Sequence, residues 1–327
     1  MSRGMSRWVI LGVAALAALA VGVMVGPADV AGGAALRALL GRGDDVTIGI
    51  VRQLRAPRAL LAFGVGGSLA VTGAVLQALV RNPLADPYLL GLSGGAGLGA
   101  VLAIALGLGG AWAVPAAAAI GALLAVALVY RLAVVAGAVL DTRVLLLGGV
   151  VVGAFCAALV GAVLALSPAD QLRNALLWLL GGFDGASWQA LGVFAAYAVL
   201  PLAILYRASR ALDLLSLGEE PARFLGADVE PLKRTVYLAA SVLTAAAVAV
   251  SGIIGFVGLV VPHAIRILWG HSHRSLLPAA FLLGGALLAG ADAVARVAFA
   301  PLSLPVGVVT AVVGVPVFAV LLRKWAS

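Results

Sequence analysis

Asn82-Pro83-Leu84-Ala85-Asp86-Pro87 joins two long apolar segments, and its reading decides the fold. Two prolines in six residues stop one helix and start another. Asn82 and Asp86 carry side-chain oxygens suited to capping the broken ends. A polar break of this kind between two greasy runs is the signature of a chain that turns at a membrane surface and goes back in.

Composition supports that reading. Of the 327 residues, 64% are hydrophobic and 10% charged, and mean hydropathy is +1.17. A soluble core has no room for so much apolar side chain, whereas a bilayer does. The 42 glycines let helices approach closely where no hydrophobic effect drives them together. Nothing long enough to fold as a separate soluble domain stands out, so residues 1–327 read as one transmembrane domain. The single Cys156 excludes a disulfide framework. The net charge of +8 is scattered over loop ends rather than gathered in a stripe with aromatics, so nucleic acid is not expected as a partner.

A span needs about 20 apolar residues. Spans are expected near Trp8–Val25, Ala59–Val80, Tyr88–Leu108, Ala113–Tyr130, Val144–Leu166, Trp188–Tyr206, Val236–Val250, Gly255–Leu268, Leu276–Phe299 and Val306–Leu322. Gly255–Leu268 is short for a full crossing, and Leu172–Leu180 reads as a half-helix at one surface. Trp8–Val25 has a second reading as a cleaved leader, since Arg3 and Arg7 precede it. With the N-terminus inside, fourteen of the 21 basic residues fall on the cytoplasmic side and seven outside. That bias follows the positive-inside rule and puts both termini in the cytoplasm. The fold class is therefore an all-α polytopic membrane protein of about ten transmembrane helices.

Three separated stretches resemble one family. The connector is flanked by Gly73-Ala-Val-Leu-Gln77 and Gly91-Leu-Ser-Gly-Gly95. Gly255-Phe-Val-Gly-Leu-Val-Val-Pro-His263-Ala-Ile-Arg266 follows, and then Pro305-Val-Gly-Val-Val-Thr310-Ala-Val-Val-Gly314-Val-Pro316-Val-Phe318. In that order they are similar to the iron-chelate, haem and cobalamin permeases, the membrane subunits of type II ATP-driven importers. The resemblance runs from roughly Arg52 to Arg323. It implies a multi-pass permease in the bacterial inner membrane, working as a homodimer around a central pathway. It also implies two separate ATP-binding subunits and a periplasmic substrate-binding protein. No cofactor is expected in this chain. ATP and Mg would sit on the partner ATPase, because neither Lys233 nor Lys324 follows a phosphate-binding glycine loop.

Site residues follow from the same resemblance. The cytoplasmic loop 212–234 is similar to the family's coupling segment. Gly218 and Gly226 bracket a short water-facing turn with Glu219, Glu220 and Arg223, while Phe224 and Leu225 offer an apolar contact. Asn82, Leu84 and Thr142 match gate positions, and Asp141 replaces a hydroxyl residue often found there. Arg55, Arg58 and Arg296 match arginines that dock the binding protein; a local pair between Asp292 and Arg296 is the plainer reading. The second, fifth and tenth spans are expected to line the pathway. His271 and His273 read as a solvated turn, and no metal site is expected.

The fifth span has almost no hydroxyl or amide, which suits a flat macrocycle. That reasoning ranks haem first, ferric siderophore second and cobalamin third. An ion-coupled secondary transporter is the rival class, but the spans offer essentially no acidic or histidine residue near the bilayer midplane.

Overall fold

The computed structural model describes residues 2–28, 30–135, 140–300 and 302–326. The chain opens with α1 (Ser2–Met24), α2 (Gly32–Leu39) and α3 (Asp45–Gly49). A π-helical stretch, Ile50–Arg55, runs without a break into α4 (Ala56–Leu79). The 3₁₀ turn Pro87–Leu90 leads to α5 (Leu92–Ala105), α6 (Ala113–Val135), α7 (Thr142–Leu166) and the half-helix α8 (Ala169–Leu179). There follow α9 (Trp188–Arg207), α10 (Ser209–Ser216), α11 (Glu219–Phe224) and α12 (Val229–Ser251). The chain ends with α13 (Val257–Trp269), α14 (His273–Val297) and α15 (Val306–Ala326). No strand occurs among the described residues, apart from one isolated bridge between Phe299 and Leu302.

Among the described residues, seven helices are long and apolar enough to cross a membrane, and α5, α13 and α15 are shorter apolar helices. Together they occupy the ten expected positions. α1 is packed into the bundle, with Leu11 and Ala15 buried.

α4 stands at the centre, against α14, α12, α13 and α9. Glycine pairs make close approaches. A Cβ on Gly66 would lie 2.3 Å from the Gly284 carbonyl oxygen, and one on Gly95 would lie 2.3 Å from that of Gly121. Small residues thus replace the hydrophobic effect as the means of holding α4 to α14 and α5 to α6.

Two irregular segments, 80–91 and 252–256, precede the short helices α5 and α13. Backbone outside a helix is tolerated at membrane depth only where protein satisfies it. The Tyr88 hydroxyl does this for Ile254, accepting from its amide and donating to its carbonyl, both at 3.0 Å. The Gln77 amide donates to the carbonyls of Ala85 and Gly258, at 3.3 Å each. Arg266 in turn donates to the Gln77 amide oxygen. One residue of α4 thus ties both breaks together.

Candidate functional site: the coupling helix, the gate ends and the outer arginines

The loop between α10 and α12 folds as expected. α11 is a short helix between Gly218 (φ 124°) and Gly226 (φ 86°), backbone that residues with a Cβ rarely adopt. Phe224 is 91% exposed and Leu225 60%. Such an apolar pair on a water-facing helix marks a contact surface. Glu220 is exposed, but Glu219 and Arg223 are not free of the chain. Glu219 lies 3.1 Å from the Lys233 ammonium, and Arg223 lies 3.5 Å from Glu230 and 3.8 Å from Glu219.

The candidate gate residues lie in the connector after α4 and at the start of α7. α4 closes with the amide of Arg81 donating to the carbonyl of Ala78 and that of Asn82 to Gln77. This is the double bond pattern of a helix C-cap, with Arg81 (φ 50°) in the place glycine usually takes. The Asn82 side chain accepts from the amide of Leu84 at 2.9 Å, so it shapes the connector rather than capping a helix. Asp86 caps the 3₁₀ turn, accepting from Tyr88 N at 2.9 Å. Leu84 is 40% exposed. Thr142 opens α7, and Asp141 caps that helix by accepting from Arg143 N at 2.7 Å. Asp141 therefore has a defined structural task where the family often has a hydroxyl.

α7 leaves Leu147, Val150, Val151 and Phe155 uncovered by the chain, and α15 leaves Val312, Val313 and Val315. α4 does not share this property. It is buried along almost its whole length.

The outer arginines converge on the C-terminal end of α1. Arg55 donates to the carbonyls of Met24 (2.7 Å) and Ala28 (2.6 Å), and Arg296 to that of Gly22 (2.7 Å). Cations are favourable there, because the last carbonyls of a helix lack partners and carry partial negative charge. Asp292, wholly buried, pairs with Arg58 and Arg296, each at 3.0 Å. Arg58 also reaches the exposed Asp184 at 2.9 Å. The local Asp292–Arg296 pair is thus present, but its larger part is the contact from α14 to Arg58 on α4. Arg55 and Arg296 are buried, and Arg58 keeps one open side. The accessible positive charge of this face lies instead on Arg37, Arg42, Arg52 and Arg173.

His273 is not in a solvated turn. It begins α14, is buried, and its Nδ1 is 2.6 Å from Asp213 on α10. No cluster suited to a metal ion occurs among the described residues.

A bundle of ten apolar helices, an exposed coupling-type helix and two broken helices define a membrane permease of the importer type. Residues 13–324 match the FecCD transport family, and the chain belongs to it. It is 38% identical over 289 residues to an uncharacterized ABC transporter permease protein, YvrB, of Bacillus subtilis, covering 87% of this chain and 82% of that one. It is 45% identical over 275 residues to the cobalamin import system permease protein BtuC of Halobacterium salinarum, covering 84% and 73%. A solved inward-facing metal-chelate type ABC transporter superposes with a TM-score of 0.86 at 32% identity, covering 96% of this chain and 97% of that one. The protein is a multi-pass permease of the inner membrane.

Proposed function

We propose that this chain works as a homodimer with two ATP-binding subunits and a periplasmic binding protein, and that its cargo is a corrinoid of the cobalamin type. The observation that carries the coupled-transport reading is α11, a water-facing helix that presents Phe224 and Leu225 to a partner. The uncovered apolar faces of α7 and α15 suit a pathway shared between two copies. Asn82, Leu84 and Thr142 would close that pathway on its cytoplasmic side. Gly218, Glu219, Glu220, Arg223 and Gly226 would form or orient the ATPase contact.

Support for a corrinoid comes from the 45% identity to a cobalamin permease. Haem and a ferric siderophore are the alternatives. The apolar face of α7 favours a flat, apolar ring such as haem over a complex rich in hydrogen-bonding groups, so it does not itself support a corrinoid, whose rim carries amides. The relative therefore moves the corrinoid ahead of haem. Low affinity along the wall is an advantage, since a deep site would trap its cargo.

The test is uptake into proteoliposomes holding the full complex. ATP-dependent accumulation of cyanocobalamin, uncompeted by haem, is expected. Accumulation of haem or a ferric siderophore, with cyanocobalamin neither transported nor competing, overturns the cargo and leaves the importer standing. Absence of ATP-dependent uptake for all three overturns the importer.

A further inference from the structure

Lys233 is the one lysine buried in the bundle among the described side chains, and it sits one turn into α12. Its ammonium makes contacts with three different elements. It donates to the carbonyl of Leu140 at 2.7 Å and lies 3.1 Å from both carboxylate oxygens of Glu219 on α11. It also lies 2.8 Å from Glu230 on α12 itself. Glu230 completes the arrangement, since its other oxygen accepts from the Leu140 amide at 3.0 Å. The peptide groups of Leu140 are therefore held on both sides, the carbonyl by Lys233 and the amide by Glu230. Leu140 lies two residues before Thr142, where α7 begins.

We infer that Lys233 is a positioning residue that joins the coupling helix to the gate end of α7. The inference rests on the importer reading above. The covalent route from α11 to α7 runs back through α10, α9 and α8. The forward route from α11 leads into α12 past Gly226, whose backbone is left-handed, and not to α7. One ammonium bridges the gap directly. A displacement of Glu219 moves Lys233, and Lys233 pulls on the carbonyl that precedes the cap of α7.

Stability alone does not account for such a choice. An apolar side chain of similar volume usually serves a buried site as well as an ion pair does. What charge-assisted bonds add is direction and short range. They fix which carboxylate meets which peptide group, and a coupling element needs that. Arg81 strengthens the picture at the other end of α11. A Cβ on Gly218 would lie 3.5 Å from its guanidinium, so the residue before Asn82 sits beside the N-terminal cap of the coupling helix.

The test compares wild type with Lys233→Met and Glu219→Gln. Amide hydrogen exchange of the permease alone, in nanodiscs, reads the segment 140–147. ATP hydrolysis and cyanocobalamin uptake are then measured with the full complex. Loss of a charge-assisted bond corresponds to about a tenfold change or more, so exchange at 140–147 should rise by that factor in Lys233→Met, with α4 and α14 unchanged. Hydrolysis should stay within about twofold while uptake per ATP falls about tenfold. Unchanged exchange at 140–147, or an unchanged ratio of uptake to hydrolysis, overturns the proposal. A lesion that is merely structural lowers both activities together and leaves their ratio intact. If wild type takes up no cyanocobalamin, the cargo reading falls, and the exchange comparison still decides the role of Lys233. If Lys233→Met does not insert, Glu219→Gln, which lies outside the span, is read by exchange at 140–147 alone, and unchanged exchange there overturns the proposal.

Discussion

Arg81 occupies a left-handed backbone position, φ 50°, at the cap of α4. Glycine would sit there without strain, and the left-handed conformation costs other residues about 1–2 kcal/mol. Arg81→Gly is therefore expected to raise the thermal midpoint of the purified permease in detergent, while transport falls because the guanidinium beside Gly218 is lost. A lower midpoint would show that the conformation is not strained. Asp292 gives the opposite case. It is buried between Arg58 and Arg296, and removing one partner of a buried pair costs about 3–5 kcal/mol. Asp292→Asn should lower stability by that order, and Asp292→Asn with Arg296→Met should recover part of it. A single variant as stable as wild type would mean that the carboxylate does not neutralise the cluster. The Asp292–Arg296 spacing was legible in the sequence because four residues make one helical turn. Arg58 lies 234 residues away, so nothing local pointed to it. Lys233 was hidden in part: Glu230 lies three residues before it on the same helix, but Glu219 and Leu140 come from α11 and from the residue before Asp141.

At the scale of elements, α11 is the clearest expectation met. Gly218 and Gly226 mark its limits in the sequence, and its charges announce a water-facing turn. The hydropathy runs placed all ten apolar helices, because a bilayer imposes a minimum length that composition alone reveals. What composition does not reveal is which face of a helix is covered. α4 and α7 are both greasy throughout, yet α4 is enclosed and α7 is open. The pattern of a long buried helix, an irregular segment and a short helix occurs twice, at α4–α5 and at α12–α13. It left no repeat in the sequence, since backbone geometry and not residue identity carries it. Phe224 tests the coupling role most directly. It is 91% exposed, so Phe224→Ala removes nothing from the core. The variant should insert and melt like wild type but lose ATPase assembly by about tenfold or more, as truncating an aromatic anchor does. Co-purification with the ATP-binding subunit reads this. Assembly at wild-type affinity would place the contact elsewhere.

Over the whole molecule, charge sets orientation. The two-to-one excess of basic residues inside was read from the chain, but the seven external cations looked like exceptions. Three of them are now accounted for: Arg55 and Arg296 cap α1, and Arg58 is held by Asp292 and Asp184. A docking contact through Arg55 or Arg296 requires those side chains to leave buried carbonyls, where an unpaired charge is costly. Arg37 on α2 and Arg42 just beyond it are exposed on the outer face. Charges in that setting add little equilibrium affinity, but they steer encounter and are screened by salt. For the proposed binding-protein complex, Arg37→Glu with Arg42→Glu should slow association about tenfold at low ionic strength and flatten its salt dependence. Thermal stability should not change, because neither side chain is packed in the bundle. Arg55→Glu should behave in the reverse manner, lowering stability first and docking only as a consequence. The measurement is binding of the purified periplasmic protein to nanodisc-held permease across a salt series, beside a melting curve for each variant. Unaltered association and salt slope in the Arg37/Arg42 variant, together with weakened docking in a fully stable Arg55→Glu, would return the docking surface to the buried arginines.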